Sequence, residues 1–308
     1  AMIAEADTGG REPDSRIVAK FLFYTALAWS LFQLYVSSPL VLEFSPWMNE
    51  DVVKRFHLIF AGFLAFLSYP AFKHSPRHKI PLLDWVLAIM LALAALYLIV
   101  FKDQLADRMG APTQMDVIVS VIGVLLLLEA TRRSLGPPLM IVALVFLCYA
   151  FFGQYMPDMI AHKGASLNKG ASHYWLTTEG AFGVAIGVSA TMVFLFVLFG
   201  ALLEQAGAGN YFIRVAFAMM GHFRGGPAKA AVMGSGLTGL VSGSSIANIV
   251  TTGTFTIPLM KKVGYPGTKA AAVEVAASTD GQLAPPIMGA AAFIIAEYVN
   301  VPYVDVIK

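Results

Sequence analysis

The sequence predicts an all-α polytopic membrane protein, and three observations lead to this fold class. Residues of the AVILMFWYC set make up 57% of the 308 residues and charged residues 13%, about half of the quarter that is usual in soluble domains. Six apolar stretches are long enough for helices that cross a bilayer. The stretches at 91–100 and 195–203 lack the alternation of apolar and polar residues that an outer-membrane strand needs.

The same composition excludes several classes of protein. Too little polar surface is present for a soluble domain, and the apolar content is too high for a disordered chain. The net charge of +2 leaves no basic face that would bind nucleic acid. The one cysteine, Cys148, cannot form an internal disulfide or a thiolate metal cage. We expect no enzyme, because an intramembrane serine protease needs a histidine near Ser242 or Ser244, and none follows His222.

The apolar stretches are the candidate transmembrane helices. They cover residues 17–36, 54–69, 82–101, 115–128, 137–153 and 182–203. Placing the N-terminal arm, residues 1–16, in the cytoplasm puts most of the 21 Lys and Arg residues on the cytoplasmic side, as the positive-inside rule requires. The loop at 154–179 is then external, and Tyr174 and Trp175 are predicted to anchor it at the membrane interface.

Composition divides the rest of the chain into two parts. Residues 17–134 contain four ordinary spans rich in Leu and Phe, and Gly136-Pro137-Pro138 marks a break. Residues 135–308 form the second part, in which Gly, Ala, Ser and Thr become dense from about residue 180. Small residues allow helix backbones to approach closely, and they permit non-helical backbone where protein or water covers it.

Residues 227–260 predict a re-entrant hairpin. Two arms of about 14 residues, too short to span a bilayer comfortably, flank the sequence Ser-Gly-Ser-Ser at 242–245. Basic residues at both ends place the two ends on one side of the membrane. Such a tip offers N–H groups to an anion and oxygen atoms to a small cation. The alternative is one continuous Ser/Thr-rich span.

Residues 267–300 predict a span that is broken in mid-membrane. A helical run at 268–279 meets the sequence DGQLAPP, and an apolar run resumes at 287–299. The paired prolines remove two N–H donors, and Gly281 adds flexibility. Transporters use the carbonyls exposed by such breaks as Na⁺ ligands. The alternative is a Pro-kinked helix without a ligand.

Acidic residues in the broken span are candidates for function, because intramembrane acids are costly and usually functional. Glu274 is interpreted either as a proton-coupling site or as a buried hydrogen-bond partner. Asp280 stands at the break, and Glu297 is interpreted as an interfacial charge near the outer end of the span.

Two long motifs in the second part resemble a known family. They are GSGLTGLVSGSSIANIVTTGTFTIPLMKKVGYP and AVEVAASTDGQLAPPIMGAAAFIIAEYVNVPY. Both resemble the large membrane subunit of TRAP transporters (tripartite ATP-independent periplasmic transporters), and more narrowly the fused permeases that work with TAXI-type binding proteins. In those permeases a small four-helix subunit precedes the large subunit. Residues 17–134 match the small part by helix count and order alone, and residues 137–308 match the start of the large one.

The resemblance implies import of organic acids such as dicarboxylates across the bacterial inner membrane, driven by an ion gradient, usually of Na⁺. It implies a periplasmic TAXI-type binding protein as partner and no cofactor beyond the coupling ion. It also implies an elevator mechanism, in which a transport domain with two hairpins slides against a scaffold that the small subunit enlarges.

The resemblance further implies a Na⁺ site between the hairpin tip and the broken span. Its ligands would be the tip residues Ser242 and Ser244 and the carbonyls of Gly281, Ala284 and Pro286. The substrate or coupling candidates around it, with H⁺ as the alternative ion, are Ser245, Asn248, Thr279, Asp280 and Glu274. Asn248 stands where related permeases often carry Asp, and Asp280 stands where a small neutral residue is expected.

The family's large subunit continues with scaffold helices, a second hairpin and a second broken span. This sequence ends at Lys308, after the first repeat, so we expect a fragment that does not transport alone. Two other hypotheses stay open. One is another hairpin-repeat carrier of divalent anions or citrate, which would act without a binding protein. The other is a membrane scaffold that does not transport.

Overall fold

The structure, a computed structural model, describes residues 10–72, 74–243, 245–284 and 288–308, with the backbone alone at 241, 242, 247 and 250. Residues 1–9 of the predicted N-terminal arm lie outside these ranges. The regular elements in the described residues are all helical, with no β-strand among them, which confirms the all-α prediction. The chain forms two compact units that divide between Gly187 and Val188. The boundary predicted after residue 134 is one of composition and stays a prediction.

The first unit is built around a helix that contacts two others. In chain order its helices are α1 (Arg16–Val36), α2 (Leu40–Phe44), α3 (Glu50–Ser68), α4 (Leu82–Val100), α5 (Lys102–Asp107), α6 (Gln114–Leu135), α7 (Pro137–Phe152) and α8 (Leu167–Ala171). A 3₁₀ turn (Gly153–Tyr155) extends α7, and a π-helical turn (Ser172–Leu176) follows α8. Helix α4 packs against α3 and α6, and α1 packs against α3.

The second unit contains mostly shorter helices. Helix α9 (Val184–Val188) stands at the division between the units and continues through a π-helical turn (Ser189–Val193) into α10 (Phe194–Gln205). The chain then forms α11 (Ala208–Met220), α12 (Gly226–Ser242), α13 (Ser245–Lys262), α14 (Gly267–Thr279), α15 (Ala290–Val299) and α16 (Tyr303–Val306). Helix α12 packs against α11, α13 and α14.

Five helical stretches in the described residues are long and apolar enough to cross a membrane. They are Arg16–Val36, Leu82–Val100, Gln114–Leu135, Pro137–Tyr155 and Val184–Gln205. The predicted span at 54–69 is not among them. Its helix, α3, begins earlier than predicted, with Asn49 as the N-cap and Glu50 and Asp51 in the first turn. The charged N-terminal half of α3 makes it less apolar than an ordinary span.

Large apolar side chains on these helices remain outside the core. In α7, Leu139 is 51% exposed, Val145 60% and Phe146 66%, and no residue of this helix is buried. Contiguous apolar surface of this kind is rare on soluble proteins. It is the surface that a helix presents to lipid.

A buried ionic cluster joins α4 to α6. Asp84, in the first turn of α4, binds Arg11 and also Arg133, whose Nη1 lies 2.7 Å from the carboxylate. Arg133 also donates to Glu129 at 2.7 Å, and Glu129 binds Arg132 at 2.7 Å. The side chains of Asp84 and Arg133 are at most 3% exposed. Burial of these charges is tolerated because each has an opposite partner.

The end of the N-terminal arm belongs to this cluster. The backbone N–H of Arg11 donates to the Ser68 carbonyl at 2.8 Å. Its guanidinium donates to the carbonyls of Phe66 and Leu67, each at 3.3 Å. These carbonyls belong to the last turn of α3, where helices lack internal partners. Arg11 therefore caps α3 and also pairs with Asp84.

A second polar cluster fixes the start of α6. Thr113 and Asp116 form a reciprocal capping box, which satisfies two N–H groups that the helix leaves free. Asp116 also accepts from the Tyr97 hydroxyl at 2.7 Å and from Arg108 at 2.8 Å. The hydrogen bond to Asp116 raises the pKa of Arg108. The loop between α5 and α6 is thereby fixed to α4.

The side chain of Trp175 is not exposed to a membrane interface, so the prediction that it anchors the loop there was wrong. Its side chain is fully buried, its Nε1 donates to the Ala94 carbonyl at 3.3 Å, and its ring meets Phe182 edge-on at 5.2 Å. A Cβ at Gly123 would overlap the indole, so the missing side chain at Gly123 provides the space. The sequence position of Trp175, near the end of a predicted span, does not show that its side chain packs inside the protein.

We expect Asp84→Asn to destabilise the protein, because it removes the charge that pairs with two buried guanidinium groups. Breaking a buried ion pair costs about 3–5 kcal/mol. Thermal unfolding in detergent should therefore show a clearly lower midpoint. Asp158→Asn is the control, since Asp158 is exposed in a turn and surface substitutions change stability by about 0.5 kcal/mol or less. Equal midpoints for the two variants would contradict the role assigned to Asp84.

Candidate functional site

The second unit contains a helical hairpin formed by α12 and α13. The helices are antiparallel: Ser235 accepts from Asn248 at 2.8 Å, and Ala231 packs with Met260 farther from the tip. Helix α12 ends one residue before Gly243, which has φ of +59°. Glycine adopts this left-handed conformation without steric cost, and it commonly ends helices in this way. The hairpin segment is therefore two helices and not one continuous span.

The segment after α14 is broken and not merely kinked. A 3₁₀ turn, Asp280–Gln282, follows α14 directly. The N–H groups of Leu283 and Ala284 both bond to the Asp280 carbonyl, at 2.9 and 2.8 Å. Met288 has φ of +56°, which is uncommon for a residue with a side chain. Regular helix resumes only with α15.

The hairpin and the break are in direct backbone contact. A Cβ on Gly281 would lie 2.6 Å from the Cα of Gly239, and a Cβ on Gly239 would overlap the Cα of Gly281. Only glycine at both positions permits this approach. Beside it, Gln282 Nε2 donates to the Ser245 hydroxyl at 3.2 Å. The end of α12, the start of α13 and the break thus form one site.

Three of the predicted Na⁺ ligands, Ser242, Gly281 and Ala284, belong to the segments that form this contact. Ser242 is the last residue of α12, and only its backbone is described. Gly281 is buried against α12, and Ala284 is half-buried in the segment that follows. Ser244 and Pro286 lie outside the described residues. The ligand set as a whole stays a prediction.

The described residues contain no group of three His, Cys, Asp or Glu side chains that would hold a metal ion. The side-chain groups available around the contact are hydroxyls, amides and the carboxylate of Asp280, together with backbone carbonyls. Oxygen atoms of these kinds suit hard cations.

The predicted substrate and coupling residues occupy two environments. Thr279 and Asp280 are exposed, and Asp280 lines a shallow groove of about 380 Å³ together with apolar side chains of α12. Ser245 is half-buried at the start of α13. Asn248 and Glu274 are fully buried. Asn248 and Glu274 therefore lie inside the packed helices, away from the groove.

Glu274 lies in a buried cluster of hydroxyl groups. Thr252 and Thr256, both fully buried on α13, bond to its carboxyl group, with Thr256 Oγ1 2.5 Å from Oε2. Ser278, one turn along α14, donates to Oε1 at 3.2 Å. Gly253 leaves room for the side chain, since a Cβ there would lie 3.3 Å from Glu274 Cγ. The carboxyl group thus has three hydroxyls within hydrogen-bond distance.

Asn248 belongs to a second branch of the same cluster. Its Nδ2 donates to the carbonyl of Ser235 at 2.8 Å and to the Ser235 hydroxyl at 3.0 Å. That hydroxyl lies 2.9 Å from the hydroxyl of Ser278. Turning the amide would place two oxygens against each other, so its orientation is fixed by its partner. The buried Oδ1 has no hydrogen-bond partner among the described residues.

Sequence reasoning missed four residues of this cluster: Ser235, Thr252, Thr256 and Ser278. A signal for them was present, because Asn248, Thr252 and Thr256 are spaced by four residues. This spacing places them on one face of a helix. Glu274 and Ser278 have the same spacing on the next helix. The two stripes become informative only when α13 and α14 are known to pack together.

Three curated relatives of this chain are named as transporter permeases. The C4-dicarboxylate TRAP transporter large permease protein DctM of Pseudomonas aeruginosa is 32% identical over 132 residues, 43% of this chain and 28% of the relative. DctM of Vibrio cholerae is 41% identical over 91 residues, 30% of this chain and 20% of the relative. The ectoine TRAP transporter large permease protein TeaC of Halomonas elongata is 32% identical over 95 residues, 31% of this chain and 22% of the relative.

These matches cover only a part of each relative. The aligned region of this chain spans between 20% and 28% of the length of the three proteins. No solved structure matches the chain.

The family comparison covers most of the chain. The family described as the DctM component of the tripartite ATP-independent periplasmic transporter matches residues 122–308, which include the hairpin, the break and the buried cluster. With its several apolar helices, the protein is a multi-pass membrane protein. The chain therefore belongs to the DctM family of TRAP transporter permeases.

Proposed function

We propose that the chain is the permease component of a secondary transporter that imports organic acids, is driven by an ion gradient and depends on a periplasmic binding protein. The observation that carries the proposal is the contact between Gly239 and Gly281. It joins a hairpin tip to a broken helix inside the region of the family match. Transporters build ion and substrate sites from such pairs of interrupted elements.

Na⁺ is the proposed coupling ion. Helix α12 ends at a left-handed glycine, and the segment after α14 departs from helical geometry. Both places have backbone carbonyls without intrahelical partners. Hydroxyls of the tip add further oxygens. The proposed ligands are Ser242 and Ser244 with the carbonyls of Gly281, Ala284 and Pro286. The alternative ion is H⁺.

The proposed substrate is a small organic acid such as a dicarboxylate. Two of the relatives are named for C4-dicarboxylates. Helix α13 begins at the tip with Ser245, and helix N-termini attract anions. Thr279 and Asp280 lie beside the tip. The negative charge of Asp280 is better suited to a cation than to the substrate, so we propose it as a coupling residue.

The proposed architecture follows the fused TAXI type. Residues 17–134 would be the small-subunit scaffold, and residues 135–308 the first part of an elevator-type large subunit. The family match covers residues 122–308, so it contains the whole of the proposed large-subunit part and the end of the fourth predicted span. The proposed location is the bacterial inner membrane with a cytoplasmic N-terminus, and the proposed partner is a TAXI-type binding protein.

Omitting the binding protein tests the class of transporter. We expect proteoliposomes with the whole transporter to take up substrate only when the periplasmic binding protein is added outside. A hairpin-repeat carrier of the other class would transport without it. Equal uptake rates with and without the binding protein would favour that alternative.

Gly239→Ala tests the backbone contact. Its Cβ would overlap the Cα of Gly281, and a backbone cannot rotate away as a side chain does, so we expect destabilisation by about 1–3 kcal/mol. Thermal unfolding should show a lower midpoint. Gly236→Ala on the same helix is the matched control, because no atom lies within 4 Å of its Cβ position. Alanine is favoured over glycine in helices by about 0.5–1 kcal/mol, so the control should be unchanged or more stable. A lower unfolding midpoint for Gly236→Ala than for Gly239→Ala would rule out the contact.

Ser244→Ala tests the Na⁺ site. Loss of one ligand should raise the Na⁺ concentration for half-maximal uptake about tenfold, which corresponds to ~1.4 kcal/mol. Thr254→Ala is the control, since Thr254 is exposed on the same hairpin, and it should leave this concentration unchanged. Wild-type uptake that persists at the same rate when K⁺ replaces Na⁺ would disprove Na⁺ coupling.

A further inference from the structure

Glu274 is a fully buried acid. The described part of the chain shows no Lys, Arg or His in an ion pair with it. A carboxylate buried without an opposite charge is costly, even when hydroxyls bind it. A bound proton removes that charge, and it adds an O–H donor to the cluster.

Charged groups on the surrounding elements do not reach the carboxyl group. Helices α12, α13 and α14 and the 3₁₀ turn pack around it. Their described charged residues, all exposed, are Lys229, Lys261, Lys262, Lys269 and Asp280. The groups that face Glu274 are instead the neutral hydroxyls of Thr252, Thr256 and Ser278. The charge of the buried cluster is therefore set by Glu274 itself.

The two threonines have more acceptors than protons. Thr252 Oγ1 lies 2.8 Å from the Asn248 carbonyl, and Thr256 Oγ1 lies 3.0 Å from the Thr252 carbonyl. Both hydroxyls are also bonded to Glu274. Each hydroxyl carries one proton, so it donates either to its own helix or to the carboxyl group. With ionised Glu274, both threonines donate to it. With protonated Glu274, the acid donates to one threonine, which turns its proton back to the helix carbonyl.

We propose that Glu274, with Thr252 and Thr256, is a proton-binding site for transport, separate from the Na⁺ site at the hairpin tip. This inference rests on the proposed transport function. Rotation of one threonine hydroxyl lets the site accept or release a proton without moving a helix. The proton site and the Na⁺ site are distinct, because Glu274 lies almost two helical turns before Gly281 along the same segment.

Both carboxyl oxygens of Glu274 have hydroxyl partners, Thr256 at Oε2 and Ser278 at Oε1. A hydroxyl can donate to a carboxylate or accept from a carboxylic acid, so these partners suit both charge states of Glu274. Oδ1 of Asn248, which has no hydrogen-bond partner among the described residues, is a second sign of a site that takes up a donor. It is an additional buried acceptor connected to Glu274 through Ser235 and Ser278.

Infrared spectroscopy of the purified chain in lipid nanodiscs tests the proton directly. A protonated carboxyl group has a C=O stretching band that a carboxylate lacks. At neutral pH we expect this band in the wild type and its loss in Glu274→Gln, which keeps the size and hydrogen bonding of the side chain. Glu297→Gln is the matched control, because Glu297 is exposed, and it should keep the band. Thr252→Val should shift the band to higher wavenumber by removing one hydrogen bond.

Absence of the band from the wild type, or its persistence in Glu274→Gln, would overturn the proposal. Uptake by the whole transporter supplies the second test. An imposed proton gradient should accelerate wild-type uptake, and Glu274→Gln should lose this acceleration while keeping its Na⁺ saturation. Wild-type uptake that ignores the proton gradient would overturn the role in transport. If wild-type uptake did not depend on Na⁺ while the infrared band was present, only the Na⁺ site at the hairpin tip would be refuted.

Discussion

Polar groups buried among the helices of this protein have to find partners inside it, because lipid offers none. This requirement explains the most specific contacts in both units. In the first unit it places Asp84 between two arginines, and it gives the free N–H groups of α6 a capping box. In the second unit it surrounds Glu274 with hydroxyls. The apolar surface makes the protein a membrane protein, but these internal polar contacts determine which helices pack together.

The broad fold was predictable because it depends on local composition. Run length and hydropathy were sufficient for five spans, and the residues Ser-Gly-Ser-Ser and DGQLAPP marked the two interruptions. The family also followed from those motifs. The start of helix α3 was not predicted, because its charged first turn lies before the apolar run that identifies a span. Trp175 was misjudged because its environment depends on Gly123, which is distant in sequence.

The site was predictable only in part, for the same reason. Gly281 and Glu274 stood out as a glycine at a break and an acid within a span. The partner of each residue lies on a helix of the hairpin. No spacing rule links Gly239 to Gly281, or Thr252 to Glu274, before the helices are packed. The polar cluster is a tertiary property of the three helices α12, α13 and α14.

The capping of α3 by Arg11 has a practical consequence for anyone who produces this protein. A stretch that precedes the first long helix is easily treated as a dispensable tail and trimmed or replaced by an affinity tag. Here that would leave the last carbonyls of α3 and one side of Asp84 without their donors. Expression versions should retain the native sequence through the start of α1, with tags placed upstream of it by a flexible linker.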